Sequence, residues 1–442
     1  MRPHLLGLGV LFGLLAAAAC GSDSPPAGAG GDGGVASDGG GGGGGTSATC
    51  TSGAPVDGAW LSDPKMCLTV FASGLGAARQ MAFAPNGDLF VAIGGGAGQI
   101  VALYDGDKDG ASGASERSTF ASAPDLNHGL TFSNDGRYLY ASSPTTIYRW
   151  AYAPGDRAAT GAAEVVVKGM PGGGHDTRTL VFDSTGRLYV NVGSSENVET
   201  DEGLTVRAQV RRFALPASVP AGGIDYAQGE VAASGLRNEV GLFVDADDHL
   251  WGVENGRDDL VDEAGVNVHN DNPGEEINLL DAPGARFYGY PLCWSEGKLA
   301  SGAGPAAQWA DTTVPAAMQK TDAWCRDTAN VQPPKFVMTA HWAPLGVLQY
   351  TGGSLPFRGD LLVAAHGSWD KSPASGRVVA RAAMKDGVIT AVTPIVGQRG
   401  GDGNVTEGTW DARPVDVRQG AGGEVYFSDD LGGRVFRIGY TP

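Results

Sequence analysis

Apolar positions along this chain cluster into short runs that begin the same way: turn residues, then Gly, then one polar residue. The clearest copies are Pro85-Asn86-Gly87-Asp88 before Leu89-Phe90-Val91 and Asn134-Asp135-Gly136-Arg137 before Tyr138-Leu139-Tyr140. Ser184-Thr185-Gly186-Arg187 before Leu188-Tyr189-Val190 repeats it, and Asp247-Asp248-His249 before Leu250-Trp251 carries Asp in place of Gly. Weaker copies run through Arg358-Gly359-Asp360-Leu361 and Gly422-Gly423-Glu424-Val425. Another apolar run precedes most of them, as in Met81-Ala82-Phe83, Leu130-Thr131-Phe132 and Leu180-Val181-Phe182. Two alternating runs joined by an Asn-Gly-like or Asp-Gly-like turn predict a β-hairpin.

Taken at Gly87, Gly136, Gly186, Asp248, Gly359 and Gly423, the copies are spaced by 49, 50, 62, 111 and 64 residues. That period predicts an all-β fold, a six-bladed β-propeller, because one four-stranded blade cannot bury both faces and must stack on neighbours. The long interval predicts an insertion at about residues 282–340. Leu68-Thr69-Val70-Phe71 is expected to close the ring against Val435-Phe436-Arg437-Ile438. The alternative is a pair of β-sandwiches.

Composition strengthens the β reading. Gly contributes 71 of 442 residues, about twice the usual share of roughly 7%. Lys and Arg total 31 against 49 Asp and Glu, a formal charge of −18. This argues against a nucleic-acid binder, which needs a basic face, and suits a soluble protein with calcium sites. With 42% hydrophobic and 18% charged residues, disorder of the whole chain is excluded.

The N-terminus reads as an address. Leu5 to Ala19 is an apolar run behind Arg2, with a small-residue exit, too short to span a bilayer comfortably and typical of a signal peptide. Cys20 at its end resembles the lipobox cysteine of bacterial lipoproteins. The expected division is a signal peptide over 1–19, a lipid-anchored Gly/Ser-rich linker over 20–54 and the propeller over 55–442, with ordinary signal cleavage as the alternative. Gly21 stands where Asp would favour inner-membrane retention; the expected place is the outer membrane, facing the periplasm or cell surface. Of the other cysteines, proximity suggests the disulfides Cys50–Cys67 and Cys293–Cys325, although three pairings are formally possible.

Candidate chemistry is sparse. Asp105, Asp107 and Asp109 with Glu116 fit a twelve-residue calcium loop, since alternate oxygens and a distant carboxylate suit a hard cation. A strand rather than a helix precedes them, and a merely acidic turn is the alternative. Among the histidines, His128, His175 and His366 each sit beside glycine at the edge of a repeat strand, where loops of successive blades converge on a central funnel.

Longer motifs carry a family resemblance. Gly173-Gly174-His175-Asp176-Thr177-Arg178-Thr179-Leu180, Gly235-Leu236-Arg237-Asn238-Glu239 and Val253-Glu254-Asn255-Gly256-Arg257-Asp258 resemble segments of pyrroloquinoline-quinone (PQQ) glucose/sorbosone dehydrogenases. So do Pro273-Gly274-Glu275-Glu276-Ile277-Asn278, His366-Gly367-Ser368-Trp369 and Arg413-Pro414-Val415. The matches stand in order and look closer to the sorbosone-dehydrogenase-like branch. The resemblance implies oxidation of a sugar or aldose, with PQQ and Ca2+ as cofactors and an external electron acceptor. It implies His175 as general base, Arg237 stabilising the reduced quinone oxygen, and Asn238, Asn255, Arg413 and Lys371 holding cofactor. Asn127, His128 and Arg178 would contact substrate, and Gly256 and Arg257 would hold a catalytic calcium. Gly174 and Arg257 depart from the family, which has an acid and a proline there. The rival readings are a metal-dependent lactonase-like propeller and a cofactor-free carbohydrate- or protein-binding propeller.

Overall fold

The computed structural model describes residues 55–441 apart from 97, 200, 281–283 and 301. Cys20 and Cys50 lie outside the described residues, and with them the lipidation site and the Cys50–Cys67 pair. Six four-stranded antiparallel meanders follow one another. Blade one is Ala78–Phe83, Leu89–Ile93, Gln99–Leu103 and Arg117–Ser122, and blade two runs from Leu130–Phe132 through Tyr138–Ser142 and Thr146–Ala151 to Glu164–Lys168. Blade three is Leu180–Phe182, Arg187–Val192, Gln209–Ala214 and Glu230–Ser234; blade four is Glu239–Val244, Leu250–Glu254, Glu275–Leu279 and Phe336–Met338. Blade five is Pro344–Gln349, Leu361–Ala365, Val378–Lys385 and Val388–Arg399. Blade six takes three strands from the C-terminus, Pro414–Gln419, Val425–Asp429 and Arg434–Tyr440, and its fourth, Met66–Ala72, from the N-terminus. Leu68 pairs with Ile438 and Val70 with Phe436, so the ring closes where the sequence suggests.

The turn template explains the hairpins. Gly87 has φ 92° and Asp248 φ 70°, a left-handed conformation that Gly adopts freely and Asp tolerates. The expected apolar/polar alternation fails at the second strands. Leu89–Ile93, Leu250–Glu254, Leu361–Ala365 and Val425–Asp429 are buried at every position, because both faces pack against adjoining blades. The core is accordingly a set of inter-blade layers. Phe90 and Ile100 pack with Leu139 and Trp150 between blades one and two, and Phe71, Val435 and Tyr426 pack with Met81 and Val91 between six and one.

Between the third and fourth strands of blade four the chain inserts a hairpin, Cys293–Ser295 with Gln308–Ala310, and a one-turn helix, Asp322–Cys325. Cys293 and Cys325 are bonded, as the sequence suggests. Among the described residues no helix is long and apolar enough to cross a membrane.

Candidate functional site

In an antiparallel meander the start of the innermost strand and the end of the second share one rim. The resemblance-derived residues His175, Arg237 and Arg413 precede innermost strands, whereas Asn255 and His366 follow second strands. Six such pairs of loops surround the mouth of the ring, and three groups of residues form there.

The first group centres on His175. It is 5% exposed, and Nδ1 lies 3.0 Å from both the carbonyl oxygen and the hydroxyl of Ser194. A carbonyl only accepts, and the hydroxyl proton is already given to the Glu196 carbonyl at 2.7 Å. Nδ1 therefore carries the ring proton and Nε2 the lone pair. Burial first, then the Arg237 charge, lowers its pKa from 6.5 to about 3, so the ring is neutral near pH 7. Gly193 permits the packing: a Cβ there would stand 2.6 Å from the His175 Cβ and 2.9 Å from Asn238 Oδ1.

The second group joins blades three, four and five. Arg237 Nη1 donates to the Gly256 carbonyl at 2.6 Å and Nη2 to Asp258 Oδ2 at 2.8 Å. Its Nε and the neighbouring Asn238 Oδ1 are buried without a hydrogen-bond partner among the described residues. Asn255 Nδ2 reaches the Pro344 carbonyl at 2.7 Å. Glu275 accepts from the backbone N–H groups of Gly256 at 2.7 Å and Ala343 at 3.1 Å, pinning the two loops, and its burial pushes its pKa up to about 7.

The third group is a relay of contacts across blades five, six, one, two and three. Arg413 Nη2 donates to His366 Nδ1 at 3.0 Å, and His366 Nε2 stands 2.9 Å from Asp430 Oδ1. Asp430 pairs with Arg79 at 2.6 Å, and Arg79 Nε donates to His128 Nδ1 at 3.3 Å. His128 Nε2 lies 3.1 Å from Thr179 Oγ1. The carboxyl of Asp430, although buried, is held well below the usual range by His366 and the arginines around it.

Several expectations change here. His128 is 1% exposed with both ring nitrogens engaged, so it braces blades one to three rather than presenting a group to substrate. Arg178 has no exposed surface, and its guanidinium donates to the carbonyls of Pro144, His175, Thr177 and Pro171. It is a strut for the His175 loop. Asn127 Nδ2 bonds the Asp176 carbonyl at 3.2 Å, while Oδ1 is unpartnered. Lys371, expected to hold cofactor, has a largely buried Nζ that donates to the Ala340 carbonyl at 3.2 Å. The Gly256 carbonyl, expected to hold calcium, already receives the Arg237 cation. The Arg257 guanidinium turns to Asp311 and Thr313 of the insertion.

Away from the rim, Asp105, Asp107 and Asp109 do come together, with ligating oxygens within 4.8 Å of one another. Glu116 does not join them as a ligand. Its oxygens accept from the backbone N–H groups of Gly106, Asp107 and Gly113 at 2.7, 3.1 and 3.0 Å, which shapes the loop instead.

The rim residues absent from the sequence reading are Arg79 and Asp430. Asp258 and Glu275 stood inside quoted motifs without a role. Their signal was faint: each is one charged residue at a strand edge, and charged residues are common there.

A family described as TrAA12-like matches residues 63–441. A PQQ-dependent pyranose dehydrogenase of Coprinopsis cinerea is 31% identical over 343 residues, covering 71% of this chain and 46% of that protein. A PQQ-dependent sugar dehydrogenase of Hypocrea jecorina is 32% identical over 321 residues, covering 68% and 71%. The chain thus spans less than half the length of the Coprinopsis protein. Among solved structures, the calcium structure of the Trichoderma reesei family AA12 enzyme has a TM-score of 0.75 at 27% identity, covering 90% of this chain and 99% of that one. The holo PQQ domain of the Coprinopsis pyranose dehydrogenase has a TM-score of 0.75 at 25% identity, covering 88% and 99%.

Proposed function

The chain belongs to the TrAA12-like family, and from that membership we propose that it is a PQQ-dependent dehydrogenase oxidising a sugar at a carbinol carbon, with electrons leaving to an external acceptor. The observation that carries the reading is the buried, unpartnered pair Arg237 Nε and Asn238 Oδ1 beside a neutral His175. An orphan donor and an orphan acceptor on consecutive residues cost free energy unless a polar ligand meets them. A quinone that bears carboxylates and a ring N–H would offer both an acceptor and a donor to that set, and the Arg237 and Arg413 guanidinium groups would hold its oxygens. When bound, PQQ supplies the hydride acceptor.

The chain's own residues do the rest. His175 Nε2 takes the substrate hydroxyl proton, and Ser194 keeps the ring in the tautomer that leaves that nitrogen open. The anionic carboxylates of a bound cofactor would raise the ring's basicity above that in the bare protein. Arg237, held by Asp258 and the Gly256 carbonyl, keeps a fixed positive charge where negative charge develops.

The Gly256 carbonyl that would hold a catalytic calcium also accepts from the Arg237 guanidinium, so the ion would use that oxygen's second lone pair. No step is assigned to that ion. A structural calcium at Asp105, Asp107 and Asp109 is a separate assignment. Chelation should lower the melting temperature of the parent, and an Asp107→Ala protein equally sensitive to chelator would sink that assignment.

Titrating PQQ into the purified full chain tests the main reading. Saturable binding, followed by bleaching of the quinone absorption on adding pyranoses or other aldoses, is expected. Absence of binding would overturn it in favour of a binding propeller.

A further inference from the structure

Behind Arg237, on the side of blades four and five, Asp258, Asp370, His269 and His341 are gathered. Asp258 gives Oδ2 to Arg237 at 2.8 Å, and its Oδ1 lies 4.0 Å from His341 Nδ1. Asp370 Oδ1 lies 3.7 Å from the same nitrogen. Both Asp370 oxygens are buried and hydrogen-bonded to nothing among the described residues. His269 Nε2 is 3.1 Å from Asp370 Oδ2 but outside hydrogen-bond geometry. Lys371, next in the chain, places its Nζ on the Ala340 carbonyl.

The tautomers sharpen the point. His341 Nε2 faces the His269 carbonyl at 2.6 Å, and a carbonyl only accepts, so Nε2 carries the proton and Nδ1 the lone pair. That lone pair thus meets an Asp370 oxygen at 3.7 Å and an Asp258 oxygen at 4.0 Å, an acceptor against two acceptors. Buried acceptors so arranged call for a cation. His269 differs, because its Nδ1 accepts the Asp259 N–H at 2.9 Å, which leaves the proton on Nε2, toward Asp370. It lines the site 3.1 Å from Asp370 Oδ2 without a lone pair to offer an ion.

We infer that His341 Nδ1, Asp370 and Asp258 form a site for a first-row divalent cation of the zinc or manganese class. One imidazole with two carboxylates is a mixed nitrogen and oxygen set that such ions take. The Nε2–H bond from His341 to a carbonyl is the outer bond that commonly orients a metal-ligating histidine. The rival occupant is a proton on Asp370, whose pKa is raised by burial and then by the Asp258 charge. Because Asp258 also holds Arg237, an ion here would share its carboxylate with the funnel arginine. The inference does not depend on the PQQ reading.

The full chain, stripped with chelator and dialysed, is titrated calorimetrically with Zn2+ and with Mn2+, and its metal content is read by mass spectrometry. The parent should bind one equivalent that Asp370→Asn and His341→Gln weaken about 100-fold, and His269→Gln about 10-fold. Thermal melts establish that each variant is folded; if Asp370→Asn is not, His341→Gln decides. A parent that binds no metal, which is the proton-only outcome, overturns the inference. So does a folded His341→Gln protein that binds as the parent does.

Discussion

Arg178 Nη1 donates a 2.7 Å hydrogen bond to the backbone carbonyl of His175. A fully buried guanidinium with no carboxylate bonded to it is costly, and burial lowers its pKa to about 10. Four carbonyls repay that cost by holding the cation along the loop that presents His175. The position of the base is thus set by a neighbour that touches neither cofactor nor sugar in the proposed reaction.

Arg178→Met should therefore strand buried carbonyls, at about 1–3 kcal/mol each where the loop cannot rewet them. The melting temperature should fall, and kcat should drop in the folded fraction with KM changed far less. Melting and turnover measured on the same preparation check both.

His175 should be neutral and protonated on Nδ1 throughout the ordinary range. Its folded pKa is depressed below 6.5, so its contribution to stability is complete above pH 6.5 and is lost as pH falls toward about 3. Imidazole nitrogen shifts of the cofactor-free protein should show no titration of this ring between about pH 5 and 8. His175→Ala should lower turnover about 10²–10⁴-fold while PQQ binding largely survives.

Glu239 and Glu254 stand opposite each other in blade four, and burial, aided by the charge of Glu276, pushes both well above 4.5. A folded pKa raised above the unfolded one favours folding below pH 4.5 and loses that contribution as pH rises. Stability should thus decline from mildly acidic to alkaline pH. Glu239→Gln should flatten that slope in denaturant melts taken across the range; an unchanged slope would show that other groups set it.

The Cys293–Cys325 bond closes a separation of 32 residues, which by chain entropy is worth about 2–4 kcal/mol. Replacing both by Ser should open the insertion to limited proteolysis before the blades unfold. Peptide maps of the unreduced parent should recover the pair intact.

Local chemistry made the fold legible. The Asn86-Gly87 turn and its copies encode hairpins by backbone preference alone, and their period leaves few ways to bury both faces of a blade. Burial at all five positions of Leu89–Ile93 was not legible, because the second face is covered by another blade far along the chain. Motifs located the rim segments but not the duties within them. His128 and His175 both lie near glycine ahead of an innermost strand, yet one is spent as a brace and the other keeps an open nitrogen. Arg178 and Arg237 divide in the same way. Which histidine and which arginine stay available depends on the neighbours each finds in the closed ring, and so does the meeting of Asp258, His341 and Asp370. The sequence by itself determined the turns, the repeat and the family motifs, because these depend on adjacent residues. Only the tertiary structure decided which polar atoms remain unpaired, because hydrogen-bond partners come from blades that only closure of the ring brings side by side.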